Sequence, residues 1–194
     1  MSHQKIRISS SMIAAINKED FCPASFYAVY IARTAKSIPS LSMLSGSYFE
    51  TLCLGKSAKG EETTDLPRLK SGEMSVAQQR IIKQAEVFKQ MCIDRPIIIK
   101  NNQTQITIEY NEDYDLTGII DFDGTIDNKP ETAIFDLKLT GSLYHEHHYG
   151  NEPPWSWEFP YNKNFTQAYF YNYLYSEVNQ VNAPFYYLVF DYKP

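Results

Sequence analysis

The period of apolar and polar positions changes near Pro96, dividing the chain into a helical front and a strand-rich back. In residues 10 to 35, SSMIAAINKEDFCPASFYAVYIARTA, cap-like Ser and Asp residues and apolar positions at helical spacing predict two short helices broken near Cys22-Pro23. The next block, LSMLSGSYFETLCLG, sets Leu44, Tyr48 and Leu52 on one helical stripe, with Glu50 on another part of the helix and Gly55 as the stop. Lys56 to Ser75 is a loop by composition, and VAQQRIIKQAEVFKQMCI after it is an amphipathic helix. Beyond Pro96, QITIEY alternates, Asn111 to Asp113 is a turn, YDLTGIID is a second strand, DGTIDNKPE is a turn and TAIFDLK is a third strand. A long aromatic loop leads to a helix, NFTQAYFYNYLYSEV, and to APFYYLVFDY, whose continuous apolar run predicts a strand buried on both faces. Helix, three-strand meander, helix, strand is an α/β order, and no internal repeat interrupts it.

With 194 residues, 43% of them hydrophobic and 21% charged, the chain can bury one good core. That predicts a single domain over residues 1–194, a helical lead-in at 1–40 followed by a core at 41–194. A net charge of −5 offers no global attraction to a polyanion, so nucleic acid would need a local basic strip or metal ions to offset its phosphates. The N-terminal MSHQKIRISSSMIAAINKED has no apolar run of signal-peptide length, and no segment approaches the roughly 20 apolar residues of a membrane span. The expectation is a cytoplasmic protein without a membrane partner, and the odd, widely spaced Cys22, Cys53 and Cys92 suit reduced thiols.

The stretch with most chemistry is GIIDFDGTID at 118 to 127. Asp121, Asp123, Gly124 and Thr125 resemble the Asp-x-Asp-Gly-Thr signature of haloacid dehalogenase-like phosphatases, in which the first aspartate is a nucleophile and the second its acid/base partner. The likeness ends there. Only 67 residues follow Asp127, no Gly-Asp-x-x-x-Asp or Asp-Asp pair occurs among them, and a strand-like TAIFDLK stands where that family needs a helix or cap.

A second reading starts from Asp136-Leu137-Lys138. Period-2 geometry puts Asp136 and Lys138 on one face, and Asp121, at the end of the neighbouring strand, can reach the same spot. Two carboxylates and an ammonium then converge, a set suited to a hard divalent cation such as Mg²⁺ or Mn²⁺ and to phosphate chemistry. Asp123 and Asp127 are expected to be solvated turn residues.

Five motifs in order make the chain similar to the PD-(D/E)xK nuclease superfamily and, within it, to the RecB-type exonuclease branch: Cys22 to Tyr27, Gly46 to Glu50, Gly118 to Asp121, Asp136 to Lys138, and Gln167 to Tyr171. The resemblance implies a restriction-endonuclease-like mixed sheet flanked by helices and a metal-dependent deoxyribonuclease, an exonuclease or DNA-end-processing enzyme. It implies Asp121, Asp136 and the Leu137 carbonyl as metal ligands, Glu50 in the position many relatives fill with histidine, and Lys138 as the catalytic lysine. Gln167 and Tyr171, at i and i+4 on one helix face, would complete the site beside the DNA. Iron–sulfur members of the branch pair an early cysteine like Cys22 with three near the C-terminus. None follows Cys92 here, so no iron–sulfur cluster is expected.

Between the catalytic strand and the Gln167 helix, Trp155 and Trp157 are placed to stack on unpaired bases or to pack. His145, His147 and His148 lack the spacing of a structural zinc site. A small chain with no helicase motif implies a homo-oligomer, or a recombination or repair protein partner that handles the DNA. The alternative from another class is a nuclease-fold protein that binds nucleic acid or a protein without cutting.

Overall fold

The computed structural model describes residues 5–35, 39–56, 66, 71–140 and 165–192. Short β1 (Ile6–Ile8) leads into α1 (Ser10–Ile16), α2 (Pro23–Phe26), a π-helical turn (Tyr27–Ile31) and the longer α3 (Leu41–Leu54) and α4 (Val76–Asp94). Then come β2 (Ile98–Glu109), β3 (Tyr114–Thr125), β4 (Ala133–Thr140), α5 (Thr166–Asn179) and β5 (Phe185–Asp191). The starts of α1, α3 and α4 share one device: Ser9, Ser40 and Ser75 accept the backbone N–H three residues on, satisfying a donor the helix cannot pair internally. Gly55 ends α3 as expected.

β3 is the spine of a five-stranded mixed sheet. β2 runs antiparallel along one of its edges, while the other edge takes β1, parallel, at Tyr114 to Leu116 and then β4, antiparallel, at Phe122 to Gly124. β5 adds to β4 in parallel. The three-strand meander is present. β5 is not buried on both faces as its apolar run predicts; it is the sheet's edge and mostly half-buried. An apolar run of this length cannot by itself distinguish a central strand from an edge strand with aromatic neighbours.

Helices cover both faces. Phe49 of α3 and Ile81 and Phe88 of α4 pack with Phe122, Phe135 and Phe190 on one side. Leu174 and Tyr175 of α5 pack with Ile106, Ile120 and Ile134 on the other. Phe122 and Phe135 stack at 4.6 Å, and Phe135 and Tyr186 at 5.4 Å. This aromatic rung crosses β3, β4 and β5 one position away from Asp121 and Asp136, and so sets the strands on which the candidate site stands. Among the described residues no helix is long and apolar enough to cross a membrane.

β3 also runs past the turn expected at Asp123. Asp123 is buried within the strand, where it accepts hydrogen bonds from Asn101 Nδ2 at 2.9 Å and from the Tyr175 hydroxyl at 3.2 Å. It is not a solvated turn residue: two donors from β2 and α5 make its burial affordable, and neither is near it in sequence. The turn falls instead at Asp127 and Asn128, both at positive φ, and Asp127 is paired with Arg95.

Candidate active site

Two residues apart on β3, Ile120 packs on the α5 side of the sheet and Phe122 on the α3–α4 side, although an unbroken strand would send both the same way. The switch falls at Asp121. Opposite it, Gln103 of β2 has a φ of +49°, and Gln103 and Asp121 do not form the rung their neighbours' register would give them. A non-glycine residue in this left-handed region is strained, a condition found at sites where geometry serves function.

The break turns Asp121 towards β4. Its Oδ2 accepts the backbone N–H of Leu137 at 2.7 Å, a side-chain rung in place of a main-chain one beyond Phe122 and Phe135. Asp121 is therefore in mid-strand, not at a strand end as the sequence suggests, and β3 continues to Thr125. A strand residue in an antiparallel pair directs its N–H and C=O to the same edge, so the Leu137 carbonyl faces the gap that Asp121 enters. The Leu137 side chain is in the apolar core.

β4 alternates normally, so Asp136 and Lys138 share a face. Lys138 Nζ lies 2.5 Å from Asp136 Oδ2, an ion pair in which the oxygen has no partner of good hydrogen-bond geometry. Gln167 Nε2 donates to Asp136 Oδ1 at 3.1 Å. Glu50, Asp121, Asp136, Lys138, Gln167 and Tyr171 all line one cleft of about 490 Å³. The structure thus brings together six of the sequence-predicted side chains, with Leu137 contributing main chain. Trp155, Trp157 and the three loop histidines lie outside the described residues.

Gly118 lets α5 approach. A Cβ there would stand 2.9 Å from Tyr171 Cε1 and 3.0 Å from Leu174 Cδ1, so hydrogen at this position is what allows the helix carrying Gln167 and Tyr171 to close on β3. Gly124 has a different reason: a Cβ would fall 2.0 Å from the carbonyl oxygen of Ile98, where β2 shifts register. The glycine that looks like part of an Asp-Gly-Thr phosphate motif is a packing requirement of the sheet.

The electrostatics are those of crowded carboxylates. Asp121 and Asp136 are 7% and 2% exposed. Burial first, then the charges of Asp136 and Glu50, push the Asp121 carboxyl well above the usual carboxylate range, against the opposing pull of the Leu137 N–H and Lys138. Burial also raises Asp136, with Lys138 opposing. For Lys138, burial favours the neutral amine, but Asp136 and Asp121 outweigh it and hold the ammonium above its ordinary value. Carboxylate oxygens that outnumber the ammonium in a largely desolvated cleft are the donor chemistry of a hard, oxygen-ligated divalent cation. Among the described residues no three His, Cys, Asp or Glu side chains are gathered closely enough to hold an ion, so the two aspartates form the nucleus of the set and Glu50 stays on the cleft wall.

Sequence reasoning missed the walls made by Ser9 to Ser11, Gln105 and Thr117, and the bond from Gln167 to Asp136. β1 carries the serines beside β3, and a three-residue strand leaves no periodic signal.

Neither a protein-family model nor a curated protein matches the sequence. Among solved structures, the backbone is similar to one from Eubacterium rectale described as a putative exonuclease, with a TM-score of 0.63, 16% sequence identity, and coverage of 96% of this chain and 68% of that one. The likeness is one of fold, and it agrees with the mixed α/β, nuclease-like architecture expected from the sequence.

Proposed function

We propose that the protein is a metal-dependent nuclease that hydrolyses DNA phosphodiester bonds, a member of the PD-(D/E)xK superfamily and of its RecB-type exonuclease branch. The observation that carries the reading is the convergence of Asp121, Asp136 and Lys138 on one cleft at the single point where β3 breaks its alternation. The ordered sequence motifs and the fold shared with a structure described as a putative exonuclease support it.

In this reading Asp121, Asp136 and the Leu137 carbonyl hold Mg²⁺ or Mn²⁺, with Glu50 as a further oxygen donor on the wall. When bound, such an ion polarises a phosphoryl oxygen and makes its water more acidic. Lys138, kept charged by its carboxylate neighbours, orients the attacking water and offsets the negative charge that builds on the phosphate. Gln167 fixes the Asp136 carboxylate through Oδ1, leaving Oδ2 to face Lys138. Tyr171 lines the same cleft, where it would face the DNA. An aspartyl-phosphate mechanism finds no support, since Asp123 is engaged by Asn101 and Tyr175 and β3 is antiparallel to both β2 and β4.

The test is incubation of the protein with end-labelled linear DNA and with circular DNA in Mg²⁺, Mn²⁺ or chelator. Loss of label from the linear substrate alone, only with metal, is the expected result. Intact DNA under every condition would leave the non-cutting alternative.

A further inference from the structure

A second cavity of about 580 Å³ adjoins the first. The two share Ser9, Ser11, Gln105 and Thr117 as lining, so they lie side by side and together reach from the carboxylate cleft to β1, α1 and the π-helical turn as one grooved surface. Its far end holds Arg7, Arg33 and Tyr30. Arg7 pairs in register with Asp115, six positions before Asp121 on β3, which places it roughly 20 Å along the strand from the candidate site.

The charges in this groove are distributed unevenly. Lys5, next to Arg7 and Arg33, is committed to Glu109 and Asp115. Neither Arg7 nor Arg33 has an ion-pair partner among the described residues. Arg7 and Arg33 also line a smaller pocket with Lys5 and Asp115, so this end of the groove gathers three cations around one carboxylate in a chain of net charge −5. The backbone is also shaped to present one of them: Arg33 has a φ of +52°, just after the π-helical turn Tyr27–Ile31, and both features are uncommon and recur at functional positions.

We propose that this groove is the track for the polynucleotide strand that enters the cleft, with Arg7 and Arg33 taking its backbone phosphates and Tyr30 offering a ring to a base. The inference rests on the nuclease reading and names where its substrate is held. Guanidinium suits phosphate oxygens by its fork of donors, and a groove combining such cations with an aromatic is the usual means of holding a single strand without reading its sequence. The separation of about 20 Å spans several nucleotides of one strand at ~3.4 Å of rise each, fewer if the strand is extended. The local pair of arginines is also how an acidic protein could bind a polyanion that its net charge would repel.

The experiment is fluorescence anisotropy with a labelled oligothymidylate of about 20 nucleotides, longer than the roughly 4–16 such grooves hold, titrated in chelator across a range of salt. It compares the parent, the double variant Arg7→Ala/Arg33→Ala and, as a second probe, Arg7→Glu. Arg80→Ala/Lys83→Ala serves as the control, removing the same charge from the exposed face of α4. The track variant is expected to bind about tenfold more weakly at low salt and to lose about 1.4 from the magnitude of its log–log salt slope, two phosphate contacts at ~0.7 each, while melting as the parent does. The control is expected to match the parent. A parent that does not bind, a track variant that binds as the parent does, or a control that loses as much would overturn the track. An oligonucleotide bound through the arginines yet left uncut in Mg²⁺ and Mn²⁺ would overturn the nuclease reading and leave the track standing.

Discussion

The carboxylate of Asp121 accepts the main-chain N–H of Leu137, so the residue between Asp136 and Lys138 is tied to the neighbouring strand by the candidate metal ligand itself. Replacing Asp121 therefore tests charge and tether separately. Asp121→Asn keeps an oxygen able to accept from Leu137 and removes the charge, whereas Asp121→Ala removes both. Both variants are expected to lose metal-dependent DNA cleavage. Asp121→Asn should also melt a few degrees above the parent, because it relieves a buried charge beside Asp136 and Glu50, and about 1 kcal/mol moves a chain of this size by ~2–4 °C. Thermal melts and a gel assay on labelled DNA read the two effects, and a fully active Asp121→Asn would refute the ligand assignment.

The same crowding sets a pH dependence. Asp121 and Asp136 have raised folded-state pKa values, so below the ordinary carboxylate range of ~4 both states are protonated and crowding costs nothing. As pH rises, the unfolded chain releases these protons first, and the fold loses stability until the raised values are passed, after which the loss is constant. The stability advantage of Asp121→Asn over the parent should thus be near zero well below pH ~4, grow as the pH rises through and above it, and level off. An advantage independent of pH would show that relief of charge is not its source.

Metal should act on the same groups in the opposite direction. A cation that binds only the folded state raises Tm with concentration, by about 2.7 kcal/mol of stability at a hundredfold excess over Kd. Mg²⁺ or Mn²⁺ should stabilise the parent in a melt and have little effect on Asp136→Ala, which should be folded and inactive. Equal shifts in both proteins would put the ion elsewhere.

The parts of the site that lie on periodic elements were legible in the sequence. Asp136 and Lys138 sit on a regular strand, and Gln167 and Tyr171 are one helical turn apart on α5, so spacing alone aligned each pair. Asp121 was legible as a residue but not as a position, since its direction comes from Gln103, eighteen residues earlier, adopting a left-handed conformation that polar sequence does not announce. Asp123 was misplaced for a related reason. Asp before Gly favours turns locally, and what satisfies it inside a strand is an asparagine 22 residues away and a tyrosine 52 residues away. The edge position of β5 and the presence of β1 depend on pairing across the sheet, which periodicity does not carry.

Gly118 offers a steric test of the helix that supplies Gln167. A methyl group at 118 must displace the Tyr171 ring, and a larger branched group must displace α5. Gly118→Ala should lower cleavage modestly, and Gly118→Val should lower both cleavage and Tm, by the 1–3 kcal/mol typical of overpacking. Gly118→Val with unchanged activity and Tm would mean that α5 is not held against β3 at this point.

Asp123 separates the nuclease from the phosphatase most directly. It is buried under Tyr175, whose hydroxyl it accepts, and burial followed by the Asp123 charge pushes the Tyr175 phenol up to about 12. Asp123→Ala leaves that buried hydroxyl without its acceptor, which costs about 1–3 kcal/mol; adding Tyr175→Phe should recover part of the loss, because the stranded donor is gone. Asp123→Asn should keep most DNA cleavage, lower Tm slightly and let Tyr175 titrate nearer the ordinary phenol value of ~10, read by ultraviolet absorbance. A phosphatase would behave otherwise. If Asp123 were the acid/base partner of a nucleophilic Asp121, Asp123→Asn would cost about 10² to 10⁴ in rate through lost proton transfer, and the parent would hydrolyse a small phosphate monoester. On the proposed function the parent is expected to leave the monoester intact and to cut DNA, with Asp121 serving a metal and Asp123 held by Asn101 and Tyr175 in the fold.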